Sequence, residues 1–240
     1  MNEAVIFAVA LAAGSVASVT GFGIGSLLTP LLATSMGMRL AVAAVAVPHV
    51  VGTALRFWML TAAPDRQVLW SFGLASAAGG LSGALLQGWA GNPRLTLVLG
   101  LLLVFTAISE LTGLAGRLRF HGRSALIAGA LSGFLGGLVG NQGGIRSAAL
   151  LGFDMRRDTF VATATAIGLF VDGARTPFYV WAQGDALIAH ATPIAVATAG
   201  VVAGTVAGGR VLGRIPPTWF RPIVAAIIGL LGVWLLSQLA

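Results

Sequence analysis

The few polar residues of this chain divide it into eight apolar units, near 3 to 35, 40 to 60, 68 to 90, 95 to 113, 124 to 152, 159 to 180, 187 to 208 and 218 to 239. A helical bilayer crossing takes about 20 apolar residues, so this division predicts an integral membrane protein with no soluble domain. Stretches such as Leu95 to Ile108 are apolar on both faces. A transmembrane barrel needs strands that alternate, so the expected class is an all-α membrane bundle. Composition agrees: 57% of residues are hydrophobic and 9% charged, against roughly 25% charged in a soluble domain.

What is missing narrows the chemistry. There is no cysteine, hence no thiol nucleophile, thiolate metal site or disulfide. All 14 basic residues are arginine, so a phosphate-loop lysine is excluded, and the three histidines (His49, His121, His190) are too scattered for a metal site. No enzyme, cofactor or metal is expected. The basic excess is read as membrane topology, and nucleic acid is not expected as a partner. Met1 to Thr20 begins with Glu3 and has no basic leader, so it is read as a structural segment and not a cleaved signal peptide.

The first and fifth units are too long for a simple crossing. Thirty helical residues would run about 45 Å against a hydrocarbon core of about 30 Å. Each is broken in its middle by glycines: Gly21, Gly23 and Gly25 in one, Gly140, Gly143 and Gly144 in the other. The two units match at a constant spacing of 119 residues, pairing Gly14 with Gly133, Gly21 with Gly140, Gly25 with Gly144 and Leu31 with Leu150. The register continues through Val42 with Val161 and Arg56 with Arg175, and a slip of two then pairs Gly79 with Gly200 and Gly83 with Gly204. We read residues 1–240 as one transporter domain made of two repeats, about 1–116 and about 124–240.

The arginines discriminate between two topologies. If each broken unit crosses once, seven arginines (39, 94, 156, 157, 210, 214, 221) face six (56, 66, 117, 119, 123, 175). If each doubles back as a re-entrant hairpin, ten (56, 66, 117, 119, 123, 156, 157, 210, 214, 221) face three (39, 94, 175), with Arg146 inside a hairpin. Only the second split has the asymmetry of the positive-inside rule, and it predicts six full crossings and both termini periplasmic. An odd number of crossings per half makes the halves inverted copies, a common build of secondary transporters.

A helix broken at membrane depth must face protein or a watery cavity, because lipid satisfies no backbone group. Each break presents the N–H groups of a helix start, and two such starts related by inversion would direct partial positive charge at one midplane point. The substrate-binding residues expected from this are Thr20, Gly21, Gly23 and Gly25 at the first break and Asn141, Gln142, Gly143, Gly144 and Arg146 at the second. Arg146 stands out, since a membrane-buried guanidinium is costly unless paired and its planar fork suits oxyanions. Pairing with Asp172 is the structural alternative. His49, after Pro48, is a candidate proton carrier or a donor to the carbonyl the proline frees. Asp172 and Arg175, three apart on one helix, are expected to pair, with a gating role as the alternative. Glu110 is expected in a salt bridge with the Arg117 to Arg123 loop. Trp58, Trp70, Trp89 and Trp181 at span ends read as an aromatic belt.

The segments Val19-Thr-Gly-Phe-Gly-Ile-Gly-Ser-Leu-Leu-Thr-Pro30 and Gly136-Gly-Leu-Val-Gly-Asn-Gln-Gly-Gly-Ile-Arg146-Ser-Ala-Ala-Leu150 resemble the duplicated glycine motif of the sulfite exporter TauE/SafE family of membrane permeases. The second copy departs from the first, with Ala149 at the place of Pro30 and Arg146 at the place of Leu27. The resemblance implies a carrier of sulfite, organosulfonates or related anions, mostly outward, in the bacterial inner membrane. The departure at Arg146 bears on the choice of substrate within that class. The function expected is therefore secondary transport of small sulfur oxyanions by alternating access. A carrier of organic carboxylates and a non-transporting subunit that docks a partner are the alternatives. Expected partners are the small anion and the lipid bilayer, with a coupling proton or sodium ion and a homodimer as further candidates.

Overall fold

The computed structural model describes residues 2–117, 120, 122–141, 143–211 and 217–239. Every described element is a helix: α1 (Glu3–Thr20), α2 (Ile24–Met36), α3 (Met38–Met59), α4 (Arg66–Val68), α5 (Leu74–Gln87), α6 (Asn92–Thr112), α7 (Leu114–Arg117), α8 (Arg123–Val139), α9 (Gly143–Leu150), α10 (Arg157–Ala189), α11 (Ala191–Val211) and α12 (Pro217–Ser237). A π-helical turn, Leu69–Gly73, joins α4 to α5 into one span that starts at the Asp65 cap, whose carboxylate accepts from the Val68 N–H. Both long units are broken where the glycines predict. Gly21 and Gly140 end α1 and α8 in the left-handed region, at φ 83° and 75°, where a side chain would be strained.

Six described helices are long and apolar enough to cross a membrane: Glu3–Thr20, Met38–Met59, Arg66–Gln87, Asn92–Thr112, Ala191–Gly208 and Trp219–Ser237. Five are expected full crossings. The sixth is the first arm of the first hairpin, and α10, the remaining expected crossing, is not among them; α10 carries Asp172 and Arg175 in its middle and turns out of helical geometry at Gln183. Lipid-facing surface is plain on α6 and α12, where Leu101, Phe105, Ile108, Ile223, Ile227 and Leu230 are exposed. Trp58 and Trp89 at helix ends, and Trp181 two residues before the kink of α10 at Gln183, are more than four-fifths exposed.

The core between helices is small-residue packing. A β-carbon on Gly79 would overlap the Ala130 carbonyl, one on Gly83 the Phe134 carbonyl, and one on Gly204 the Leu11 carbonyl, while Gly208 sits on Ser15. These contacts bind α5 to α8 and α1 to α11, and each pair of helices runs parallel. They match one another when α1 is shifted by 119 residues onto α8 and α5 by 125 residues onto α11. Gly79 is thus equivalent to Gly204 and not to Gly200, a correction of one helical turn to the register read from sequence. Glycines four apart fit a helix face equally well in either register, so matching letters could not choose.

Other pairs carry the exchange further. Arg56 Nη1 donates to the Ala17 carbonyl at 2.6 Å, and Arg175 Nη1 donates to the Gly136 carbonyl; both partners are 119 residues apart. Gly100 packs on Leu236 while Gly232 packs on Val104, so α6 and α12 run antiparallel and swap roles. α3 and α10 are also antiparallel, with His49 opposite Asp172 and Thr53 against Gly168. In the second broken unit the start and end come together, because Gly152, just past α9, packs on the Phe120 backbone just before α8.

One correction follows for the arginine count. Arg56 and Arg175 are 7% and 1% exposed and cap helix ends inside the bundle, so neither belongs to a flanking loop. Leaving them out sharpens the asymmetry on which the hairpin topology rests.

Candidate functional site

The two helix breaks meet. Phe22 at the first packs its Cβ onto Gly143, and Gly25 packs onto the carbonyl of Gly140 and onto Asn141 at the second. Thr20 uses its hydroxyl to hold the first break, donating to the Phe22 carbonyl at 2.7 Å and accepting from the Phe22 N–H at 3.3 Å. Gly23 caps α2 without any side-chain hydrogen bond, and Gly21 faces open space. Gly144 packs on Thr106 of α6. Asn141 is 4% exposed and its Nδ2 has no hydrogen-bond partner among the described residues. Gln142 lies outside the described residues.

Arg146 leaves α9 toward α3 and α10. It is 2% exposed, and a β-carbon on Gly168 would stand 3.3 Å from its Nη1 and 3.4 Å from Thr53 Cγ2. Its Nε and Nη1 have no hydrogen-bond partner among the described residues. The alternative in which Arg146 pairs with Asp172 is not what the structure has. Asp172 Oδ1 accepts from Arg175 Nε at 3.1 Å and Nη2 at 2.9 Å, and its Oδ2 lies 2.7 Å from His49 Nδ1. The expected Asp172–Arg175 pair is therefore present, and His49 bonds to a carboxylate and not to the carbonyl freed by Pro48.

The same side chains order the second break. Arg175 and Tyr179, one turn apart on α10, donate to the successive carbonyls of Gly136 and Gly137 at the end of α8. A guanidinium at a helix C-terminus satisfies free carbonyls and opposes the helix dipole. Arg56 does this for α1, with Nε left unpaired. Among the described residues of this buried cluster, three guanidiniums therefore face one carboxylate.

A cavity of about 260 Å³ leads to the first break, lined by Thr20, Phe22, Ser109, Glu110, Ser147 and Arg221 among others. Its walls come from the end of α6, the end of α9 and the start of α12. Glu110 makes no ion pair with a described residue and lines this cavity together with Arg221; the expected bridge to the Arg117 to Arg123 loop falls in part on residues outside the described ones. A second cavity of about 340 Å³, mostly apolar, reaches Thr106, Gly144 and Glu110 from between α6 and α8.

Sequence reading missed the roles of Thr53, Gly168, Tyr179 and Thr106. A signal existed for Gly168, which stands 119 residues after His49, and for Arg56, which stands 119 before Arg175. Tyr179, the single tyrosine of the chain, had none.

Searches of curated proteins and of solved structures return no match. The model of the family described as sulfite exporter TauE/SafE matches residues 6–235. With nearly the whole chain covered and both glycine breaks inside the match, the protein belongs to the sulfite exporter TauE/SafE family.

Proposed function

We propose that the protein is a secondary transporter that exports small sulfur oxyanions, sulfite or a short organosulfonate, by alternating access between two inverted halves in the bacterial inner membrane. The observation that carries this reading is Arg146, a buried guanidinium on the second broken unit with two nitrogens unpartnered among the described residues. An unpaired charge at membrane depth is costly, and a planar oxyanion is the ligand its fork fits. Asn141, with its free Nδ2, and the backbone donors at Gly143 and Gly144 complete the second side of the site, while Gly23 and Gly25 lend the first helix start. The remaining tip residues, Thr20 and Gly21, keep the first break open to the cavity, and Arg221 near its mouth draws anions inward. Inversion is supported by the antiparallel pairing of equivalent helices, α3 with α10 and α6 with α12. In this topology the cavity opens to the cytoplasm, the side from which an exporter loads.

Purified protein in liposomes is expected to carry sulfite faster than empty vesicles, and absence of flux for every sulfur oxyanion tried would defeat the reading. The topology has its own check. A reporter fused after Ala240 that is active only in the cytoplasm would rule out periplasmic termini.

A further inference from the structure

We infer that His49 is the coupling-proton site of this transporter, its Nε2 taking up one proton as the oxyanion takes Arg146. The inference rests on the reading of Arg146 as the anion site. Asp172 accepts a fork of two bonds from Arg175, which leaves its Oδ2 for His49 Nδ1 at 2.7 Å. A carboxylate on Nδ1 fixes the tautomer with the proton there and leaves Nε2 as the basic nitrogen. No described residue hydrogen-bonds Nε2, and the His49 side chain is 11% exposed, whereas Asp172 and Arg175 are each 1% exposed. His49 is therefore the most exposed member of the chain His49–Asp172–Arg175.

Charge links this nitrogen to the anion. Beside His49 stand Asp172 of α10, itself bonded to Arg175, and Thr53 on its own helix, while Arg146 from α9 reaches α10 at Gly168, one turn before Asp172. Arg175 already balances the charge of Asp172, so a protonated His49 adds a positive charge to a buried cluster that also holds Arg146. Arg146 opposes that proton in the empty site. An oxyanion seated on Arg146 cancels the opposition, and the imidazolium in turn holds the anion. By linkage the two effects are equal, so anion affinity must rise as pH falls. The antiparallel α3 and α10 that carry the pair come from opposite halves, so loading both ligands changes a contact across the line on which the halves move.

The test compares sulfite binding to purified full-length protein at about pH 6 and about pH 8 in wild type and His49→Gln, where glutamine keeps a donor to Asp172 but does not titrate. Sulfite's own ionisation is common to both proteins and cancels in the comparison. Wild type is expected to gain on the order of tenfold more affinity on acidification than His49→Gln. Equal gains would overturn the proton site and leave the anion site standing. Absence of sulfite binding to wild type at either pH, with methanesulfonate also silent, would remove the anion reading and this inference with it. Should His49→Gln fail to fold, calorimetry of sulfite binding to wild type in two buffers of different ionisation enthalpy decides. Uptake of about one proton per anion, after subtraction of sulfite's own ionisation, supports the assignment, and uptake of none overturns it.

Discussion

The two helix breaks are built on the same frame and furnished differently. Gly21 and Gly140 end their helices in the same left-handed turn, and Arg56 and Arg175 each cap the carbonyl four residues before that turn. Around this frame the equivalent positions diverge: Leu27 against Arg146, Thr53 against Asp172, His49 against Gly168, Phe22 against Asn141. What the halves share is mechanical, since a broken helix in a membrane needs its carbonyls satisfied wherever it occurs. What they do not share is chemical. Of the polar members of the unlike pairs, His49 and Thr53 from α3 meet Asp172 of α10 and lie beside Arg146 of α9 in one buried cluster, whereas Asn141 stays at the break against Gly25.

The largest effect should separate the two capping arginines. Arg175→Ala takes the guanidinium from Asp172, leaving it only His49, as well as uncapping α8, and breaking a buried pair costs about 3–5 kcal/mol. Arg56→Ala removes one charge-assisted bond to the Ala17 carbonyl, which still accepts from the Gly21 N–H, and should cost about 1.5–3 kcal/mol. Thermal unfolding in detergent should rank them in that order by several degrees. Equal losses would mean that Asp172 draws nothing from Arg175 and that the halves are alike after all.

A second measurement tests the frame itself. Gly79→Ala and Gly204→Ala each force a β-carbon into a carbonyl of the facing helix, so each should destabilise by about 1–3 kcal/mol, and by similar amounts. Gly173→Ala, where a β-carbon meets nothing, should be neutral or mildly stabilising. If Gly79→Ala and Gly204→Ala differ by more than about 1 kcal/mol, the register that equates them fails.

How far these features were readable depends on range. Helix positions, both breaks and the pairing of Arg56 with Arg175 follow from local pattern and a constant spacing, which a single chain displays directly. The register of α5 against α11 did not follow, because glycines repeat every helical turn and sequence has no ruler finer than that. The bond between His49 and Asp172 joins residues 123 apart. Nothing in either neighbourhood announces it, and the nearby Asp172–Arg175 pair offered a complete local account of both charges. Arg56 and Arg175 looked like topological markers because an arginine near the end of an apolar run usually sits at the interface; only packing revealed that helix ends inside the bundle had claimed them.

The difference between Leu27 and Arg146 is the next comparison to break. Arg146→Ala should weaken sulfite binding about 10- to 100-fold, equivalent to about 1.4–2.8 kcal/mol, because charge-assisted bonds to the anion are lost. Arg146→Lys keeps the charge without the fork and should fall between. Stability should move the other way or not at all, since a buried guanidinium with two nitrogens unpartnered among the described residues is a burden to the empty protein. Leu27→Ala should leave sulfite affinity within a few-fold of wild type while costing packing. A stability loss in Arg146→Ala as large as in Arg175→Ala, with affinity intact in the folded fraction, would assign Arg146 to the frame.

The smallest expected effect probes the mirror position of His49. Gly168 gives Arg146 its room: a β-carbon there would stand 3.3 Å from Nη1, close enough that the guanidinium must shift by a few tenths of an ångström. A fork aimed at a planar anion loses part of its alignment under such a shift, whereas the helix gains from losing a glycine. Gly168→Ala should therefore weaken sulfite binding by a few-fold, within about 1 kcal/mol, and leave unfolding temperature unchanged or slightly higher. Thr53 Cγ2, at 3.4 Å from the same point, limits the direction in which the side chain can yield. If Gly168→Ala binds sulfite as wild type does, the notch beneath Arg146 serves packing alone, and the guanidinium's reach toward the centre must be set by Thr53 or by the helix that carries it.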